Sequence, residues 1–299
     1  MEDAVLIGPF IGELGWEILR FAPHALWLIT KKYKNKNIKF IVFTRPERFD
    51  LYGSYIDIFV PLTIEGDNEK YIQNCFRLEN YNNYDILIKN FYNNFVNKYN
   101  IIDHIYPKIQ DRQFLQKDQF KRSQKEYSFS PREENLKLLE KYIEENGDMQ
   151  KKIIVLAPRY RENMKRNWSG WEELYDIIFN SDLYDKFNFI ICGKYPDYIP
   201  NKKFLDINNI PINNNSSLIG LTIEAIKKSI FVVGSQSAIP NLSMLLRIPS
   251  IQWGHQKNLH ANVYNVLKTK VVFLEDTNYS IPAKKIFEEI STLSSRVLK

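Results

Sequence analysis

Sulfur is scarce in this chain, which has only Cys75 and Cys192 in 299 residues. Two thiols make neither a disulfide framework nor a CxxC zinc pattern, and a reducing cytoplasm is the expected compartment. Long apolar runs are missing as well: no stretch approaches the ~18 consecutive apolar residues that a membrane span requires. The opening Met1-Glu2-Asp3 is acidic and leads straight into Val5-Leu6-Ile7. It lacks the basic region and small-residue cleavage site of an export signal. His24, His104, His255 and His260 are scattered and form neither HExxH nor a Cys/His cluster, so no metal site is expected. A GxSxG elbow, a GxGxxG turn and a P-loop are all absent.

What remains is an ordinary globular composition. Hydrophobic residues make up 44% and charged residues 25%, which excludes a disordered chain. At roughly 150 residues per domain, the length predicts two domains, each able to bury its own core. Lys and Arg outnumber Asp and Glu by 41 to 35, a basic balance that suits an anionic ligand. Basic runs such as Lys31-Lys32-Tyr33-Lys34 also read as solvated loops.

Periodicity supplies the architecture. Ala4 to Pro9 is a short apolar run ending in Gly and Pro, a buried-strand pattern. Ile18, Ala22, Ala25, Leu26 and Ile29 then recur at helical spacing, with Pro23 inside the helix, and Ile38 to Phe43 reads as the next strand. Together they make one βαβ unit. Short apolar pieces follow near Ile86 to Ile88, and the polar, aromatic-rich stretch from Asn90 to Tyr127 gives no assignable pattern. Ser130-Pro131-Arg132-Glu133 is a capping box that predicts a helix to about Glu145. Asn146-Gly147 ends it, and Ile153 to Ala157 reads as a second buried strand. A second box, Ser169-Gly170-Trp171-Glu172, precedes a helix through Leu174, Ile177 and Ile178. Phe189 to Gly193, Ile230 to Val233 and Ser250 to Gln252 read as strands, and Leu218 to Lys227 as a helix. Ser237 is placed to cap one more helix reaching Leu246. Strand and helix alternate, which predicts an α/β fold with parallel sheets covered on both faces. The domains expected are 1–149 and 150–282, with the last helix, in 283–299, packing back on the first.

Ligands of open parallel sheets bind beyond the carboxyl ends of the strands, which singles out three loops. The first contains Gly8, Gly12, Glu13, Gly15 and Glu17, with glycines for tight turns and two carboxylates near a helix start, where either could act as a base. The second carries Arg159, Arg161, Lys165 and Arg166, four cations in eight positions, which suits a diphosphate. Charge-assisted hydrogen bonds of about 1.5–3 kcal/mol each would dominate the affinity. The third, Gly234-Ser235-Gln236-Ser237 leading to Asn241, offers small hydroxyls and backbone N–H groups to phosphate or sugar.

At these residues the sequence resembles a known family. Gly12-Glu-Leu-Gly15-Trp-Glu17, Lys165-Arg166-Asn-Trp168 and the span Leu221 to Gly254 are similar to glycosyltransferase family 9, which has the GT-B fold and includes the lipopolysaccharide heptosyltransferases. The family's Gly-Asp turn resembles Gly15-Trp-Glu17, its Lys-Arg-Trp resembles Lys165-Arg166-Asn-Trp168, and its Asp-Ser/Thr-Gly sugar-donor loop resembles Gln236-Ser237-Ala238. Gln236 stands where the family has Asp, Ala238 where it has Gly and Asn241 where it often has His. The resemblance implies two Rossmann-like domains with parallel sheets facing a central cleft. It also implies a nucleotide diphosphate sugar as substrate, held by Gly12, Gly15, Arg159, Arg161, Lys165, Arg166, Gly193, Ser235, Gln236, Ser237 and Asn241.

The expected activity is sugar transfer with inversion, without metal or cofactor, since no Asp-x-Asp of the metal-dependent GT-A class occurs. Glu13 or Glu17 would deprotonate the acceptor. Glu13 lies in the turn and is favoured by loop geometry, whereas matching the Gly-Asp turn favours Glu17 with Trp16 as an insertion. The acceptor is open between a glycan precursor and a hydroxylated base in DNA. Two competitors remain: a nucleotide-sugar epimerase of the same architecture, and a non-catalytic nucleic-acid-binding protein using Lys31 to Lys39 and Lys117 to Lys125.

Overall fold

The structure, a computed structural model, describes residues 1–12, 14–34, 36–62, 84–107, 123, 125, 128–160, 167–193, 204–255 and 257–298. The chain divides into two compact units, Met1–Arg132 and Glu133–Lys299.

In the first unit, β1 (Glu2–Ile7) enters a helical run made of α1 (Leu14–Trp16), a π turn (Glu17–Phe21), α2 (Ala22–Trp27) and a second π turn (Leu28–Lys32). Its predicted inner positions Ile18, Ala22, Ala25, Leu26 and Ile29 are all buried. Pro23 stands inside this run, where the first π turn passes into α2. Then come β2 (Lys39–Thr44), two 3₁₀ turns (Pro46–Leu51 and Gly53–Tyr55), β3 (Ile58–Pro61), α3 (Tyr84–Val96) and β4 (Tyr99–Ile105). The described strands pair in the order β3-β2-β1-β4, all in parallel. Both α3 and β4 fall in stretches the sequence left weak or unassigned, and β4 is only half apolar because Asn100, Asp103 and His104 interrupt it.

The second unit opens with α4 (Glu133–Asn146) and β5 (Lys152–Ala157), then α5 (Trp171–Phe179), α6 (Asp182–Lys186), β6 (Phe187–Ile191) and β7 (Leu205–Asp206). It continues with α7 (Leu218–Lys228), β8 (Ser229–Ser235), α8 (Ala238–Leu245), β9 (Ser250–Gly254), a π turn (Asn258–Val263), β10 (Val271–Glu275) and α9 (Ala283–Leu298). Among the described residues six parallel strands lie in the order β10-β9-β8-β5-β6-β7.

One core layer of this unit shows both sequence periods at once. Ile154 and Leu156, Phe231 and Val233, and Ile251 and Trp253 alternate along their strands, and they bury against Trp171, Leu174, Tyr175 and Ile178 of α5. Ala283, Ile286, Ile290 and Leu293 of α9 complete the cluster. The last helix thus spends its apolar face in the core of the second unit, whereas the sequence predicts packing on the first. The boundary also falls earlier than residue 149, because α4 is held by α7. Ser217 N donates to Asn135 Oδ1 at 2.9 Å, and Lys228 pairs with Glu140 at 2.8 Å.

Two predicted caps are not formed. Ser130 Oγ instead meets Ser54 Oγ at 3.0 Å, and Gly170, not Ser169, stands at the N-cap of α5. Ser217 does cap α7, accepting from Gly220 N at 3.1 Å. No described helix is long and apolar enough to cross a membrane.

Ile290 is fully buried, so Ile290→Ala should cost about 2–5 kcal/mol in thermal or urea unfolding. Met149→Ala, at an exposed position, should stay within about 0.5 kcal/mol. Equal shifts for the two would remove α9 from the core.

Candidate functional site

The turn after β1 is held by its carbonyl groups. Gly8 has φ of +96°, a conformation that favours glycine, and its N–H bonds Ile105 O at 2.7 Å. Gly8 O accepts from His104 Nε2 at 2.8 Å, Pro9 O from Tyr84 Oη at 2.9 Å, and Gly12 O from Arg48 Nη1 at 2.8 Å. Because the carbonyl can only accept, Nε2 is the protonated nitrogen of His104, and burial lowers the pKa of that ring below its ordinary value. Three side chains from separate elements thus fix the path of one turn.

Glu17 lies just beyond it and has no solvent-exposed surface. Its Oε1 accepts from Thr44 Oγ1 at 2.8 Å and Tyr52 Oη at 2.7 Å, and its Oε2 meets Arg48 Nη1 at 2.7 Å. Burial raises the Glu17 carboxyl above the ordinary carboxylate range, opposed by the charge of Arg48 and by hydrogen bonds from Tyr52, Arg48 and Thr44. Arg48 Nη1 therefore bridges the Gly12 carbonyl and the Glu17 carboxylate. Glu13 lies outside the described residues. A methyl group at Gly15 would meet nothing within 4 Å among the described residues, so their packing does not demand glycine there. Close by, Asp50 is fully buried and accepts from Arg132 through N, Nε and Nη2 at 3.0, 2.9 and 2.8 Å.

Sequence reasoning missed Thr44, Arg48 and Tyr52. The signal that singled out Arg159 is a cluster of four cations in eight positions after a buried strand, and the eight positions after β2 hold only two, Arg45 and Arg48.

In the second unit the sheet order reverses direction between β5 and β8, the topological switch point where open parallel sheets bind ligands. Ala157 at the end of β5 pairs with Gly234 near the end of β8. A methyl at Gly234 would stand 2.9 Å from Ala157 O and 3.0 Å from Pro240 Cγ, so glycine lets these strand ends and α8 approach. Gly193 follows β6 with φ of +138°, and a Cβ there would collide with Pro158 O. Arg159 is half-buried next to this corner. Arg161, Lys165 and Arg166 lie outside the described residues.

The hydroxyls of the third loop are not consumed locally. Ser235 Oγ is buried and has no hydrogen-bond partner among the described residues. Ser237 stands at the N-cap of α8 in an extended conformation, yet its side chain makes no capping bond. Burying a hydroxyl unpaired costs about 1–3 kcal/mol, which a ligand or water at this corner would offset. Gln236 is buried beside Gly254, and its N–H bonds Trp253 O at 2.8 Å. Asn241 is buried with its Oδ1 3.0 Å from His260 Nδ1, so it faces an imidazole inside the unit. Trp168 is core: it stacks edge-on against Trp253, and its Nε1 donates to Ile281 O at 2.9 Å. The structure thus gathers Arg159, Gly193 and the Ser235–Ser237 loop at one sheet edge, and Gly12 with Glu17 around Arg48.

Removing Arg48 would strand a buried carboxylate, so Arg48→Met should cost about 3–5 kcal/mol. The Glu17 pKa is raised in the fold, so its contribution is present below the unfolded carboxylate value and lost as pH rises through the folded one. Without Arg48 that folded value rises further. The cost should be larger at about pH 7.5 than at about pH 5 in urea unfolding, and Glu17→Gln should recover part of it. Equal costs at both pH values would contradict the pairing.

No family model matches this chain, and no curated protein matches it in sequence. Solved structures do match in fold. A glycosyl transferase family 9 protein from Veillonella parvula superposes with a TM-score of 0.60 at 11% identity, covering 98% of this chain and 97% of that one. The E. coli ADP-heptose lipopolysaccharide heptosyltransferase II gives 0.56 at 11% identity with both chains fully covered. The E. coli heptosyltransferase WaaC with ADP gives 0.52 at 11% identity, covering 98% and 100%. The fold is that of the GT-B glycosyltransferases, the one the motif resemblance implied.

Proposed function

We propose that this chain is a glycosyltransferase that moves a sugar from a nucleotide diphosphate sugar to an acceptor hydroxyl, without a metal and with inversion. The observation that carries the reading is the corner at the ends of β5 and β8, where among the described residues the buried Ser235 hydroxyl has no hydrogen-bond partner and the Ser237 side chain makes no capping bond at the start of α8. The likeness in fold to heptosyltransferases, one of them solved with ADP, supports it.

In this reading Ser235, Gln236, Ser237 and the first N–H groups of α8 face the diphosphate, with Arg159, Arg161, Lys165 and Arg166 as the counter-charges. Glu13 is the general base. What supports it over Glu17 is that the Glu17 carboxylate is wholly buried and already accepts from Thr44, Tyr52 and Arg48. The base takes the proton of the acceptor hydroxyl as that oxygen forms its bond to the anomeric carbon. The bond from that carbon to the β-phosphate oxygen breaks, and the electron pair leaves on the nucleoside diphosphate. Cations and a helix start stabilise the departing charge, the role a metal plays in other transferases. A glycan precursor or a hydroxylated base in DNA both supply such a hydroxyl.

UDP, GDP, ADP and their glucose conjugates should be tested by thermal shift. One base series should raise the melting temperature, since a ligand bound only by the folded state stabilises it. With that sugar donor, Glu13→Gln should lose about 10²–10⁴-fold in turnover with little change in its affinity. Silence across the panel would refute sugar-nucleotide binding, and a Glu13→Gln enzyme within a few-fold of the parent would remove Glu13 as base.

A further inference from the structure

Beyond the switch point, a second polar cluster forms where β8, β9 and β10 end. The loops there are tied together: Gln236 N donates to Trp253 O at 2.8 Å, and Asp276 N to Gly254 O at 2.8 Å. Gly254 has φ of +153°, and a methyl on it would stand 2.5 Å from Gln236 Oε1 and 3.2 Å from Tyr279 Oη. The carboxamide and the phenol therefore converge over one glycine. Next in sequence is His255, half-buried, with Nδ1 3.4 Å from Tyr279 Oη and the two rings edge to face at 6.0 Å.

Tyr279 reaches this place at a conformational cost. It is buried and sits at φ of +53°, a region that a bulky non-glycine residue rarely adopts. The turn holding it is organised by Asp276, whose carboxylate accepts from the N–H groups of Asn278, Ser280 and Ile281 at 3.0, 2.6 and 2.6 Å. Such strain persists only where the surroundings over-determine it, and it concentrates at ligand sites.

The chemistry of the cluster differs from that of the β5 loop. A carboxamide, a phenol and an imidazole each both donate and accept. That matches alcohol hydroxyls, which also do both, better than phosphate oxygens, which only accept. The contact between the Tyr279 phenol and Nδ1 fixes the orientation of the imidazole, and with it the direction in which Nε2 points.

We propose that His255, oriented by Tyr279 beside Gln236, contacts a ring hydroxyl of the sugar nucleotide, with Tyr279 as the positioning residue. The inference rests on the sugar-nucleotide reading above. The hydroxyl belongs either to the transferred sugar or to the ribose, and the probes separate the two.

The test measures binding of inorganic pyrophosphate, of the nucleoside diphosphate that stabilises the parent most, and of its glucose conjugate, to the parent, Tyr279→Phe and His255→Ala. His255 is half-buried, so its substitution keeps the test usable if Tyr279→Phe fails to fold. Loss of one such contact is expected to weaken binding up to about 10-fold. A loss on the conjugate alone assigns the transferred sugar. A loss on both nucleotides that spares pyrophosphate assigns the ribose. Unchanged affinities, or equal losses on all three probes, overturn the inference while leaving sugar-nucleotide binding intact. A parent that binds none of them overturns both.

Discussion

Parallel pairing is the constraint from which the rest follows. Every strand pair among the described residues is parallel in both sheets, and a parallel ladder cannot be closed by a hairpin. Each strand must instead be followed by a crossover, so all the carboxyl ends of a sheet emerge at one edge. Residues far apart in sequence, such as Arg159, Gly193 and Ser235, become neighbours for that reason alone. The buried faces are then free to be apolar, and the polar residues that remain near the strand ends need an explanation of their own.

Two kinds of buried polar group meet that need differently. Glu17, Arg48, Thr44 and Tyr52 satisfy one another, and their net contribution to stability is small because desolvation offsets attraction. Their effect is geometric, since Arg48 also grips the Gly12 carbonyl. Ser235 is the opposite case, a buried hydroxyl with no partner among the described residues. A satisfied network fixes a scaffold, whereas an unsatisfied hydroxyl at a strand end leaves a hydrogen bond for a ligand or a water to make.

Much of this was legible in the sequence, and the failures have physical causes. Strands buried on both faces, such as Ile153 to Ala157, announce themselves as apolar runs, and amphipathic helices as apolar residues recurring at helical spacing. By contrast β4, with Asp103 and His104 inside it, carries little hydrophobic signal, and β7 is two residues long. The predicted caps at Ser130 and Ser169 failed because a tertiary contact and a neighbouring glycine took their places. Of the candidate site, Gly193 entered only through the family resemblance, and the positions of Gly12 and the Ser235 loop were readable from strand ends. Arg48 and Tyr52 were not, because their partner is Glu17, at least 31 residues away along the chain. Tyr279 was hidden for another reason: in Asp276-Thr-Asn-Tyr-Ser280 the residue suited to a left-handed turn is Asn278, yet the structure gives that conformation to the tyrosine.

The central claim is that a nucleoside diphosphate lies at the carboxyl ends of β5 and β8. Photo-crosslinking with an azido analogue of the stabilising nucleotide, followed by peptide mapping, tests it most directly. Labels should concentrate in residues 157–166 and 234–241 and be competed away by the unmodified nucleotide. Labels confined to Lys31 to Lys39, or spread over the surface and indifferent to competitor, would contradict it.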